Sequence, residues 1–229
     1  MTGFDFDVVW RSLTYMFLEG MRFTLTLTLL AAIGGLVFGT GIALLRLSGG
    51  PVLATVMAGY VNLARALPLV LVIFWFYFLV PYLGQWVTGG VRPVRVGAFA
   101  SALITFVVFE AAFFSEIVRA GIASIPRGQA AAGRALGLTR LQVMGYVILP
   151  QVVRIMLPVL LTQTIVLFQD TSLVYVISLT DFLGAASKVA QRDGRLVEMY
   201  TFAALVYFTV SFLASQGVRR LQARIAVPR

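Results

Sequence analysis

The chain of 229 residues is 60% hydrophobic and only 12% charged, and its mean hydropathy of +0.94 means more apolar surface than a soluble domain of this size could bury. Such a chain belongs in a lipid bilayer. Its net charge of +9 comes from 18 basic and 9 acidic residues, and in a membrane protein this excess reflects topology and anionic headgroups. No basic helix or aromatic RNA platform occurs, so we expect no nucleic-acid binding.

The chain contains neither cysteine nor histidine. Their absence excludes a disulfide framework, His/Cys metal sites and every catalytic triad that needs an imidazole base. The N-terminal sequence MTGFDFDVVWRSL carries two acids before its first arginine, so we expect no cleavable signal peptide. We therefore expect no metal site and no imidazole-dependent catalysis in this chain.

Five apolar stretches have about the ~20-residue length that a membrane helix needs. They cover residues 23–45, 54–80, 97–119, 152–177 and 199–217. The sequence therefore predicts an all-α, polytopic membrane helical bundle with about five transmembrane helices in a single domain, residues 1–229. An odd number of spans places the termini on opposite sides. With ten basic residues in the segments on the C-terminal side and seven on the other, we expect the N-terminus outside and the C-terminus inside.

The inside segment 124–150, between the third and fourth spans, is too polar to cross a membrane and is rich in helix signals. Pro126 suits a first helical turn, and Gly137 suits a left-handed C-terminal cap. Thr139 followed by Gln142 predicts a capping box that opens a second helix. The proline at the end of the segment predicts the boundary of that helix. We therefore expect two short helices here.

The first of these helices has very small side chains on its surface and arginines at its rim. Small side chains let another backbone approach closely, so this surface is suited to a groove in a partner. The alternative is an ordinary loop with a tolerant, Ala-rich helix, and residue chemistry alone leaves both open. The small residues are Gly128, Ala131, Ala132 and Gly133, and the arginines are Arg127 and Arg134.

The spacing of GQAAAGRALGL and VILP in this segment resembles the EAA loop of binding-protein-dependent ABC importer permeases. The flanking FEAAFFSEIVRAGIASIPRGQ and FQDTSLVYVISLTDF are similar to the polar amino acid permeases of that superfamily, above all those for glutamate and aspartate. The chain departs from the EAA pattern by lacking its leading Glu, an acid that those permeases also lack. The matching positions are Ala131, Ala132 and Gly133 at the start, Gly137 in the middle, and Val147, Leu149 and Pro150 at the end.

The resemblance implies the MetI-like fold of type I ABC importers and a place in the bacterial inner membrane. It implies a permease subunit of an ATP-driven amino acid importer, whose 124–150 loop is a coupling helix seated in a separate ABC ATPase. The other implied partners are a second permease subunit, identical or similar, and a periplasmic solute-binding protein that lands on the outer loops 81–96 and 178–198. Because no Gly-x-x-x-x-Gly-Lys-Ser/Thr loop occurs, we expect the ATPase partner to handle ATP and this chain to bind no cofactor.

The expected cargo is glutamate or aspartate, and the alternatives are glutamine, arginine or histidine. An ion-coupled secondary carrier is a further alternative, because Glu110 and Asp170 lie in predicted spans and could be ion sites. Five spans without an internal repeat argue against such a carrier.

Ionisable residues in the predicted spans are candidates for the substrate path, because a charge at bilayer depth is costly unless it is paired or faces water. Arg65 lies just before Pro68, where the backbone hydrogen bonding breaks, and its guanidinium could hold a substrate carboxylate by two parallel hydrogen bonds. Alternatively, Arg65 neutralises Glu110 or Asp170 across the bundle.

The remaining candidates each have a structural alternative. Glu116 lies three residues before Arg119, which favours an ion pair within one helix. Thr171, beside Asp170, could bond to the backbone or line a cavity. Gln163 could also line the path, although glutamines in spans are more often hydrogen-bond partners between helices.

Overall fold

The computed structural model describes residues 3–225, which form eight helices and no strand. In chain order the helices are α1 (Phe6–Ser48), α2 (Pro51–Ala66), α3 (Leu69–Thr88), α4 (Ala98–Ala123), α5 (Arg127–Ala135), α6 (Arg140–Ile177), α7 (Phe182–Asp193) and α8 (Leu196–Ile225). Wider π-helical turns occur within α1, α3 and α6, and α6 ends in a tighter 3₁₀ turn. These turns are Met16–Met21, Trp75–Leu79, Val143–Ile148 and Thr171–Ile177.

Five of the described helices, α1, α3, α4, α6 and α8, are long and apolar enough to cross a membrane. The prediction of an all-α bundle with five spans is therefore confirmed. The first span is much longer than expected. At 1.5 Å per residue the 43 residues of α1 extend over about 64 Å, roughly twice the ~30 Å hydrocarbon thickness.

The predicted second span, 54–80, was wrong in its boundaries, because the helix breaks before Pro68. Proline lacks an N–H group and disfavours a helical conformation in the residue before it. Leu67 is accordingly extended, with φ −94° and ψ 139°, and a new helix starts after Pro68. Arg65 therefore lies in the last turn of α2 and not inside the α3 span.

The segment 124–150 follows the predicted signals in its first part. After α5 ends, Gly137 takes a left-handed conformation with φ +81°. Thr139 then caps the start of α6, and the side chain of Gln142 accepts a hydrogen bond from the Thr139 N–H at 2.9 Å. The expected capping box is present.

The predicted helix boundary at Pro150 was wrong, because α6 continues through it. The π-helical turn Val143–Ile148 ends just before this proline, and regular α-helix resumes at Leu149. Pro150 thus occupies the first turn of a regular stretch, where a missing N–H is tolerated. The second short helix that we expected is the beginning of the fourth span.

Helices α1 and α4 pack against each other along a stripe of small residues. Ala31, Gly35, Gly39 and Ala43 recur every four residues of α1, and all are buried. A Cβ atom at Gly39 would lie 2.8 Å from the carbonyl oxygen of Ala111 in α4, closer than real Cβ atoms approach. In a membrane, small residues of this kind let helix backbones come together.

We expect Gly39→Val to force α1 and α4 apart and to destabilise the protein by about 1–3 kcal/mol, as overpacking does. Gly41→Val is the matched control, because a Cβ at Gly41 meets no atom within 4 Å. The thermal unfolding of the two variants in detergent gives the comparison. Equal losses of stability would contradict the packing argument.

Helix α7 packs against the start of α1 and against α8 around a separate apolar core. This core includes Val8, Met16, Phe182 and Met199, all fully buried. A Cβ at Gly20 of α1 would lie 2.9 Å from the Cα of Phe182, so the two backbones are in close contact. The first turns of α1 are thus packed against α7 and the beginning of α8.

Two groups of ion pairs fasten the same contact from outside the core. Arg195 lies 3.4 Å from Asp5 and 3.2 Å from Glu198, and Arg11 lies 3.0 Å from Asp193. They join the beginning of α1 to the turn between α7 and α8.

Asp181 is a buried carboxylate that caps the N-terminus of α7, between the spans α6 and α8. It accepts hydrogen bonds of 2.9 Å from the backbone N–H groups of Leu183 and Gly184, and the Tyr207 hydroxyl donates to it at 3.3 Å. Burial raises the pKa of Asp181 from 3.8 to about 6, although these hydrogen bonds oppose the rise. The folded protein therefore binds a proton here more tightly than the unfolded chain does.

Because the pKa of Asp181 is higher in the folded than in the unfolded protein, protonation of Asp181 increases the free energy of unfolding. This contribution is fully present below about pH 4 and is lost as the pH rises through about 6. We expect Asp181→Asn to remove this contribution while an amide oxygen still caps α7. The check is the difference in melting temperature between wild type and variant from about pH 4 to pH 8. A difference that does not change with pH would contradict the assignment.

Candidate functional site

Two of the residues predicted to line a path, Glu110 of α4 and Gln163 of α6, meet inside the bundle. Glu110 is fully buried, and the Gln163 side-chain amide donates to its two carboxylate oxygens at 3.2 and 3.3 Å. Gly35 of α1 makes room for this carboxylate, because a Cβ there would lie 2.8 Å from the Cβ of Glu110. The placement of this buried carboxyl group thus depends on three helices.

Asp170 and Thr171 lie where regular α-helix gives way to the 3₁₀ turn of α6. The Asp170 side chain is half-buried and forms no hydrogen bond or ion pair within residues 3–225. Thr171 is buried, and its hydroxyl donates to the Phe168 carbonyl at 2.7 Å, so it bonds to the backbone of its own helix. Over the same described range, no three acidic side chains gather as a metal site.

Arg65 pairs with neither Glu110 nor Asp170, nor with any other residue of the described part of the chain. Its guanidinium carbon lies 5.6 Å from the ring centre of Phe113, within the range of a cation–π contact. The side chain also lines a cavity of about 480 Å³ bordered by α2, α4 and α6. Among residues 3–225, Arg65 therefore has an aromatic contact but no ionic partner, and it borders an open cavity.

Glu116 lies on the wall of the same cavity and is held by two arginines. Arg119 donates to one carboxylate oxygen at 2.7 and 3.1 Å, and Arg46 of α1 pairs with the other oxygen. Sequence reasoning identified Arg119 from its spacing but missed Arg46, which is 70 positions away along the chain. The sequence signal for this second ion pair was Arg46 in the last turn of α1, because α1 and α4 end on the same side of the bundle.

The exposed face of α5 consists of the small residues and arginines that the sequence singled out, with one exception. Gly133 is buried, because a Cβ there would lie 2.9 Å from the side chain of Val143 in α6. It fixes α5 to α6 and is unavailable to a partner. The residues that remain exposed are Arg127, Gly128, Ala131, Ala132, Arg134, Gly137 and, at the end of the segment, Pro150.

Large apolar side chains that sequence reasoning did not include extend this face. Leu136 is 83% exposed, Leu141 86% and Tyr146 75%. An exposed apolar patch of this kind marks an interaction site. The patch together with the exposed face of α5 is called the α5 surface below.

Residues 35–227 match the family of binding-protein-dependent transport system inner membrane components. The chain belongs to this family. Over 226 residues it is 49% identical to the glutamate/aspartate import permease protein GltK of Escherichia coli O6:H1 (strain CFT073), covering 99% of this chain and 100% of that protein. It is 30% identical to the glutamine transport system permease protein GlnP of Escherichia coli (strain K12), covering 98% and 99% respectively.

Solved structures show the same fold. The crystal structure of an amino acid ABC transporter with histidines superposes with a TM-score of 0.83 at 28% identity, covering 98% of this chain and 99% of that one. The inward-facing methionine ABC transporter MetNI gives a TM-score of 0.73 at 18% identity over 93% and 97%. The predicted MetI-like permease fold is confirmed. As a family member, the chain is a multi-pass inner-membrane permease of an ABC importer, and it works with a separate ATPase and a binding protein.

Proposed function

We propose that this chain is the permease subunit of an ATP-driven importer for glutamate and aspartate. The observation that carries the proposal is the 49% identity over nearly the whole chain to a glutamate/aspartate permease, against 30% to a glutamine permease of similar coverage. Glutamine is therefore the alternative cargo.

We place the N-terminus outside and the C-terminus in the cytoplasm. The excess of arginines in the segments on the C-terminal side supports this orientation. The α5 surface then faces the cytoplasm, and α7 with the segment between α3 and α4 faces the binding protein.

The α5 surface is the proposed contact with the ATPase. Its small side chains permit close approach, Leu136 and Leu141 supply apolar area, and Arg127 and Arg134 add charge. The 229 residues contain no Gly-x-x-x-x-Gly-Lys-Ser/Thr loop, and their single lysine, Lys188, follows a serine. ATP is accordingly bound by the partner, and this chain carries no cofactor of its own.

The translocation path runs beside Glu110, Gln163, Asp170 and Thr171, and a second permease subunit completes it. The buried Glu110–Gln163 pair supports this location, as does Asp170, whose side chain has no partner in the described part of the chain, because polar groups at bilayer depth border paths for polar cargo. Large apolar side chains remain exposed on the spans and are available to lipid and to that second subunit.

The function is tested by reconstituting the complete importer in liposomes with either of two binding proteins. One binds glutamate and aspartate, and the other binds glutamine. We expect uptake and ATPase stimulation with the first only. Efficient glutamine uptake with the second would overturn the cargo assignment, and uptake that survives ATP removal but not loss of the proton gradient would favour a secondary carrier.

We expect Ala132→Trp to block uptake, because an indole on the α5 surface prevents close approach by the ATPase. Membrane insertion is expected to be unchanged, since the Ala132 side chain is exposed. Ala204→Trp is the control, as it adds the same bulk at an exposed position of α8. Co-purification of the ATPase and uptake are measured for both, and full coupling in Ala132→Trp would contradict the docking proposal.

A further inference from the structure

The cavity between α2, α4 and α6 has the size and walls of a small-ligand site. Its volume of about 480 Å³ lies within the range of roughly 300–1,000 Å³ that is usual for such sites. The walls are largely apolar, and the charged groups are few. The lining residues used below are Arg65, Glu116, Ala120, Ile155, Met156 and Val159.

The charge balance around the cavity is positive. Glu116 is already held by Arg46 and Arg119, so it has little capacity to neutralise a third cation. The Arg65 guanidinium has no hydrogen bond or ion pair in residues 3–225, and its contact with the Phe113 ring leaves its N–H groups available. Arg46 and Arg119 lie outside the lining and neutralise Glu116, so within residues 3–225 Arg65 is the charge of the lining that no carboxylate balances. Such a site is suited to an anion.

We propose that this cavity is a binding subsite for an acidic amino acid, in which Arg65 holds the side-chain carboxylate of the cargo. The proposal rests on the proposed function, which supplies a cargo with two carboxylates. A guanidinium binds a carboxylate through two parallel, charge-assisted hydrogen bonds. A neutral side-chain amide makes weaker bonds to it, so the subsite favours glutamate over glutamine.

The position of the cavity indicates at which stage the cargo occupies it. Gly121 and Ser124, at the end of α4, border the cavity, and α5 begins three residues after Ser124. Ile155, Met156 and Val159 line it from the part of α6 that lies between the α5 surface and Gln163. The subsite is therefore on the ATPase side of the Glu110–Gln163 pair, where an imported cargo leaves the path.

The test measures labelled glutamate binding to the purified importer in nanodiscs, without the binding protein. We expect Arg65→Gln to weaken binding about ten-fold or more, because two hydrogen bonds between charged groups are lost. The glutamate affinity of Arg65→Lys is expected to lie between those of wild type and Arg65→Gln, since an ammonium keeps the charge but not the two parallel hydrogen bonds. Arg154→Gln, which removes an exposed arginine outside the cavity lining, is expected to bind like wild type.

A second variant leaves Arg65 in place. Ala120→Leu fills part of the cavity and is expected to weaken binding, even if Arg65→Gln fails to fold. Unlabelled succinate, a dicarboxylate, is expected to compete better than glutamine. Wild-type affinity in Ala120→Leu or in a folded Arg65→Gln, or better competition by glutamine, would overturn the subsite. If glutamate uptake with the glutamate/aspartate-binding protein persists alongside such a result, the proposed function stands and only the subsite is lost.

Discussion

Helices α1 and α4 can lie in contact only because α1 carries glycine at Gly35 and Gly39, and several other features depend on that contact. The close approach leaves space for the Glu110 carboxylate, which then meets Gln163 of α6. It also brings the last turns of α1 and α4 together, so that Arg46 reaches Glu116. One stripe of small residues thus positions both a buried polar pair and an ion-pair cluster.

The charges are arranged differently at the two ends of the bundle. Near the start of α1, acids and arginines alternate and pair off, as with Asp5, Arg195 and Glu198. At the cavity, Glu116 is already paired with Arg46 and Arg119, and Arg65 is left without an ionic partner among the described residues. Balanced charges hold helices together, whereas unbalanced charge attracts a ligand. The same residue type therefore has a structural role at one end and a proposed binding role at the other.

Local sequence signals predicted the fold well. Hydrophobic run length gave five spans, and the residues from Pro126 to Gln142 gave α5 and the capping box, because each signal acts within a few positions. The two wrong helix boundaries both lie at prolines, whose effect depends on the backbone conformation of the preceding turn. Pro68 broke a helix, whereas Pro150 was accommodated after a π-helical turn. Sequence alone does not reveal that a wider turn precedes one proline and not the other.

The candidate site was less accessible from sequence, because its geometry joins residues that are far apart in the chain. Hydropathy identified Glu110, Asp170 and Arg65 as unusual, but it did not reveal which of them meet. The partner of Glu110 is 53 positions away, and the second arginine of Glu116 is 70 positions away. The burial of Gly133 against Val143 was also not foreseen, since small residues serve internal packing as well as partner contact.

The continuity of α6 through Pro150 has a structural consequence. Gly133 fixes α5 against Val143, and from there a single helix runs past the cavity to Gln163. At 1.5 Å per residue, the distance along the helix from Arg140 to Gln163 is about 35 Å. No loop lies in between, and only the π-helical turn Val143–Ile148 and Pro158 interrupt the regular hydrogen bonding of α6 over this distance. The α6 part of the α5 surface and the amide that holds Glu110 therefore belong to one continuous helix.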